Sequence, residues 1–155
     1  MTEHPLRYAG GHMHISTDDT ELAKLICENE AYNPFTIDLI ALFSTTIGLC
    51  NIAYSKNPEL EKIRQFRFGK PGKWRYQIYS GGFVGVEYRT PSNSWITDKT
   101  LGNSLFVLMG ICLEIATDKE KKAQVLKNRE EARKVILSGD QEAAKTLFAI
   151  VEGTL

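Results

Sequence analysis

WRYQIYSGGFVGVEYR, Trp74 to Arg89, is the stretch whose reading decides the fold. Two runs rich in aromatic and β-branched residues flank Ser80-Gly81-Gly82, a pattern that predicts two strands joined by a turn. In the second run Val84, Val86 and Tyr88 fall on one face, and Gly85, Glu87 and Arg89 on the other. A strand with one apolar and one charged face belongs to a sheet that covers a core on one side only.

Upstream, AGGHMHIS at 9–16 extends an expected strand from Arg7 to Ser16, and its alternation puts His12 and His14 on one face. Ser16, Thr17 and Asp18 are cap candidates for a helix carrying Leu22, Leu25 and Ile26 at helical spacing. Pro34 suits the first turn of the next helix, whose sequence PFTIDLIALFSTTIGLCNIAYS is apolar on most faces and calls for deep burial. A short helix from Pro58 to Arg64 precedes RQFRFGKPGKWRY, where Gly69, Pro71 and Gly72 predict an irregular basic loop. After TPSNSW the period turns helical: Leu101 to Asp118, Lys119 to Leu126, Arg129 to Leu137 and Gln141 to Val151, with Ser138-Gly139-Asp140 as a stop and restart. The expected class is α+β, a small antiparallel sheet packed with a helical C-terminal half. We read one domain over 1–155, with the motifs in 7–95 and the helices in 100–155.

Nineteen basic residues balance nineteen acidic ones, so no net field favours nucleic acid or an anionic membrane. Cys27, Cys50 and Cys112 are widely spaced and form no CxxC pair, the pattern of reduced core thiols. No signal peptide opens the chain. The longest apolar stretch, Ile37 to Ile52, is interrupted by Asp38, Ser44, Thr45, Thr46 and Gly48, so a cytoplasmic protein is expected.

Four groupings carry chemical potential. His12 and His14 can share a divalent cation. Glu87 and Arg89 point into the same space, a carboxylate for a hard cation and a fork for an anion. Arg64, Arg67, Lys70, Lys73 and Arg75, spaced by glycines, suit phosphate. Ser92 and Asn93 offer polar groups just beyond the Glu87 strand. Each has a plain alternative: a hydrogen-bonded histidine pair, an ion pair, a solvated basic loop and a turn cap. The chain lacks GxxxxGK[ST], GxGxxG and GxSxG, and it has too few histidines for a two-histidine phosphodiesterase.

Taken in order, RYAGGHMHIS, RxxxFGKPGKWR and GVEYRTPSNSW resemble the phage-type carboxylate–amine ligases of the glutamine synthetase-like superfamily, over about Arg7 to Trp95. The resemblance implies a glutamine synthetase catalytic-domain-like sheet. It also implies ATP with Mg²⁺ or Mn²⁺ as cofactors, and small-molecule or peptide carboxylates and amines as substrates. By the same resemblance His12 and Glu87 would bind metal. His14, Arg64, Arg67, Lys70 and Ser92 would lie at the nucleotide, and Arg75 and Arg89 would act on the transferring phosphoryl group or acyl phosphate. The setting would be a host cytoplasm if the chain is phage-encoded.

The family also carries a metal-binding acidic pair on a strand well upstream of H-x-H, whereas only Glu3 precedes His12 here. The expectation is therefore a split or truncated ligase with an open sheet edge, completed by a homo-oligomer or a partner chain. The alternative is a non-catalytic protein that binds a nucleotide, a metabolite or a protein on a remnant fold. A metal-dependent hydrolase built on the same His–Glu cluster is a third option.

Overall fold

The computed structural model describes residues 10–27 and 33–155, with the backbone alone for Cys27. Expectations that rest on Glu3, on residues 7–9 of the first strand and on the Cys27 thiol lie outside the described residues.

The architecture is α+β: a three-stranded antiparallel sheet, with helices forming the rest of the core. The hairpin forms as its sequence dictates, β2 (Trp74–Ile78) and β3 (Val84–Tyr88) turning through Ser80–Gly82. The first strand, β1 (Met13–Thr17), starts later than the expected Arg7–Ser16: Gly10 makes only an isolated bridge to Ser92, and His12 lies outside the strand. It pairs on the other side of β3, giving the order β1-β3-β2. Each outer strand has one neighbour among the described residues, so both sheet edges are open there. Registers Met13–Tyr88–Trp74 and Ile15–Val86–Tyr76 form the core face; His14–Glu87–Arg75 forms the charged face.

The cap of α1 (Thr20–Cys27) is Asp19, whose Oδ1 accepts from Glu21 N and Leu22 N. Thr17 Oγ1 accepts from Asp19 N instead, so the capping expected of Ser16, Thr17 or Asp18 moves on to Asp19. Asn33 caps α2 (Pro34–Phe43), with Pro34 in the first turn as expected. The helix widens into a π-segment at Ser44–Gly48 and resumes as α3 (Leu49–Ala53). Ser44, Thr45 and Thr46 return their hydroxyls to the carbonyls four residues back, the competition that loosens a regular helix.

The run Pro34–Ala53 is long and apolar enough to cross a membrane, even with the polar residues that interrupt it. It is nevertheless the core of the molecule, with 72% of its apolar window buried. The short helix α5 (Ser94–Thr97) leads into α6 (Lys99–Ile115), which packs around the run with α7 (Lys119–Leu126), α8 (Arg129–Ser138) and α9 (Gln141–Glu152). Gly139 ends α8 in the left-handed region and Asp140 caps α9, the stop and restart read from SGD.

The third helix runs further than expected: α4 spans Pro58–Arg67. Arg64 and Arg67 are therefore helical and Arg75 lies on a strand, so of the five basic-loop candidates only Lys70 and Lys73 occupy the loop. Asn57 caps this helix, and the bond from Phe68 N to Arg64 O closes its last turn just before Gly69.

Candidate functional site

Glu87 projects from near the end of β3 onto the charged face, yet its side chain is only 1% exposed. Its neighbours cover it. His12 Nδ1 stands 2.5 Å from Oε1, Arg89 Nε lies 3.4 Å from the same oxygen, and Arg75 Nε donates to Oε2. Burial alone would raise the Glu87 carboxyl. The Arg75 hydrogen bond and the charges of His12, Arg75 and Arg89 outweigh it and hold the carboxyl below the usual range. His12 moves down as well, because burial and the Arg89 charge exceed the pull of Glu87. It is therefore neutral at pH 7, and pairing with Glu87 calls for its proton on Nδ1.

The glycines of AGGHMHIS now have a reason. The His12 ring folds back against Gly10, where a β-carbon would collide with Nε2. Gly11 lies flat against the Ser92 backbone and the Trp95 ring, and Trp95 Nε1 donates to Gly11 O at 3.0 Å. His14 turns to the other side and meets Tyr79 Oη at 2.8 Å, the hydrogen-bonded alternative to a shared cation.

Beside the Glu87 cluster opens a cavity of about 520 Å³ between α4, the loop 68–73 and the sheet. His12, Arg64, Arg67, Lys70, Lys73 and Arg89 line it, and Phe68 and Trp74 supply aromatic walls. Arg64 is spent on structure: it is buried, donates to Phe68 O at 3.4 Å and to Thr90 O, and faces Glu61 at 3.6 Å. Burial pushes Glu61 up and Arg64 down from their ordinary values, partly offset by their mutual attraction. Gly69 is required here. Its φ of 70° is left-handed, and a β-carbon would run into the Arg64 guanidinium.

Two hydroxyls, of Ser44 and Thr90, hold the loop. Ser44 Oγ donates to Ile40 O at 2.9 Å and accepts from Gly72 N at 3.0 Å and from Tyr88 Oη at 3.2 Å. Thr90 Oγ1 adds a bond to Lys70 O at 3.1 Å. Arg89 N also donates to Lys73 O at 2.9 Å, so the π-segment of the core helix holds Gly72 while the residues after β3 hold Lys70 and Lys73. No pattern in the sequence marked Ser44 or Tyr79 as partners of the site, because each acts across more than 25 residues of chain.

Of the expected site residues, the fold brings His12, Arg64, Arg67, Lys70 and Arg89 to this cavity, with Glu87 beside them. Arg75 and His14 sit in register with Glu87 but do not line the cavity. Ser92 is buried and bonds Ser94 Oγ at 2.7 Å, the turn-cap alternative. A larger cavity of about 790 Å³ on α3, α6 and α9, walled by Val107, Leu108 and Phe148, contains none of them.

The family-implied metal can be tested against these contacts. Mg²⁺ or Mn²⁺ needs several oxygen ligands. Among the described residues no three His, Cys, Asp or Glu side chains converge as a metal-binding group. Both oxygens of Glu87 are already engaged by cationic or imidazole groups. The described residues do not fit a hard divalent cation, and His12 and Glu87 pair with each other instead.

An anion fits better. Arg67, Lys70 and Lys73 have no ion-pair partner among the described residues, although all three border one cavity. The chain matches no family model, no curated protein and no solved structure. The chemistry of the site therefore rests on its own geometry. Three segments far apart in sequence, 10–12, 64–73 and 87–89, meet to present unpaired cations beside aromatic walls.

Proposed function

We propose that this cavity binds the phosphates of a nucleotide, and that the chain carries the phosphate-handling face of an ATP-dependent carboxylate–amine ligase on a glutamine synthetase-like sheet. The observation that carries the reading is the meeting of all three ligase-like motif segments around one cation-lined cavity. In ligase chemistry a carboxylate oxygen attacks the terminal phosphorus of ATP and ADP leaves. An amine then attacks the acyl carbon and expels inorganic phosphate, giving the amide.

The residues suit the charge in these steps. Arg67, Lys70 and Lys73 neutralise polyphosphate, and Arg89, half-exposed and only 3.4 Å from Glu87, can turn its remaining donors to a transferring phosphoryl oxygen. Phe68 or Trp74 offers a ring for a base. Neutral His12, anchored by Glu87, keeps the cavity wall in place. Glu87 acts as the counter-charge that allows Arg75 and Arg89 to share a small space.

A second reading is favoured by one observation: the Glu87 carboxylate is engaged at both oxygens, which suits binding without turnover. Incubation with ATP, amine and carboxylate mixtures separates the two. ADP and phosphate formed in proportion to amide supports the ligase. Nucleotide binding with no ADP released supports a binding protein. Absence of nucleotide binding contradicts both.

A further inference from the structure

The helix α4 is inside out. It buries Glu61, Arg64 and Gln65 while Leu60, Ile63 and Phe66 are 44%, 48% and 86% exposed. Single exposed apolar residues are ordinary, but three on one face of one helix, above a polar buried face, reverse the usual amphipathic order. At about 100° per residue, Glu59, Leu60, Ile63, Phe66 and Arg67 occupy one arc of about 120°.

That arc is a palindrome in character. Leu60 and Phe66 lie three residues to either side of Ile63, and Glu59 and Arg67 lie four. A two-fold axis through Ile63, with the helices antiparallel, sets Leu60 against Phe66 of the second copy and Glu59 against Arg67 of the second copy. Parallel packing would instead oppose Glu59 to itself and Arg67 to itself. No ion pair holds Glu59 or Arg67 among the described residues.

We propose that the exposed face of α4 is a homodimer interface, in which two copies of this chain pack antiparallel about Ile63. The contact is isologous and closes on itself, so dimers form and larger assemblies do not. One ten-residue helix offers less than the about 800 Å² per partner of a standard interface, so the dimer is weak and concentration-dependent.

Sedimentation equilibrium over roughly 1 μM to 1 mM tests the proposal. A monomer–dimer equilibrium is expected. Phe66→Glu should weaken it about tenfold or more while leaving the helical circular dichroism unchanged, because the side chain is already in solvent. Glu59→Arg and Arg67→Glu should each weaken it, and the double variant E59R/R67E should restore it. Arg67 also borders the cavity, so the swap is read in molecular mass with no ligand present. A monomer throughout the range, a dimer indifferent to Phe66→Glu, or a double swap that fails to restore association would each overturn the proposal.

Discussion

His12 Nδ1 and Glu87 Oε1 stand 2.5 Å apart, so the two side chains expected to bind metal bind each other. Both partners have depressed proton affinities, which gives the pair a pH signature.

For His12, the folded value lies below 6.5, so the unfolded chain takes up a proton first and stability falls as pH drops through that region. For Glu87, the folded value lies below 4.5; its contribution is complete above 4.5 and is lost as pH falls through the folded value. The two act in the same direction. Melting temperature should decline from about pH 7 to about pH 4, and His12→Gln should flatten the upper part of that decline. A melting temperature that rises on acidification would contradict the assignment.

Glu87→Gln removes the only negative charge from a group of two guanidiniums and an imidazole. The cost should be about 2 kcal/mol, less than for a fully buried pair because Arg75 and Arg89 reach solvent. The same variant should bind inorganic tripolyphosphate at least as tightly as the parent. Loss of binding would instead mark Glu87 as a ligand holder.

Ser44→Ala leaves Gly72 N without its acceptor and removes one of two hydroxyl partners of the buried Tyr88, the other being Thr90. Urea unfolding should show a loss of about 1–3 kcal/mol. Phosphate affinity should fall as well, although Ser44 does not border the cavity, because Gly72, between Lys70 and Lys73, loses its anchor while Thr90 Oγ1–Lys70 O and Arg89 N–Lys73 O remain. Unchanged affinity would show that the loop is held by other contacts.

In a Cys27→Ser background, Cys50 and Cys112 should resist thiol reagents until the protein unfolds. Burial raises the Cys50 thiol to about 12 and the Cys112 thiol to about 11, and Cys112 also lies 3.1 Å from Thr46 Oγ1. Rapid labelling of the native protein at pH 8 would contradict this packing.

Much of the fold was legible because period and turn chemistry coincide. WRYQIYSGGFVGVEYR alternates about a glycine turn, and SGD stops one helix and caps the next. What escaped reading depended on distant partners. Nothing local distinguishes Arg64, turned inward to Phe68 O and Thr90 O, from Arg67, which faces the cavity; three residues of helix separate opposite roles. Alternation predicts His12 and His14 on one strand face, yet the strand starts at Met13, so His12 folds onto Gly10 beside Glu87 and His14 reaches Tyr79. The pairing of two histidines read as a shared ligand set, and the carboxylate and phenol that divide them come from β3 and the hairpin. The sequence predicts α4 three residues short, because the glycines at 69 and 72 signal an early stop.

The central claim is that cationic side chains, without a bound metal, hold nucleotide phosphate in this cavity. Calorimetric titration of ATP in the presence of EDTA tests it most directly, on the parent and on the variant K70A/K73A. The account predicts binding in EDTA that weakens with rising salt and is reduced about tenfold or more in the variant. ATP binding that requires Mg²⁺, or that survives loss of both lysines unchanged, would contradict it.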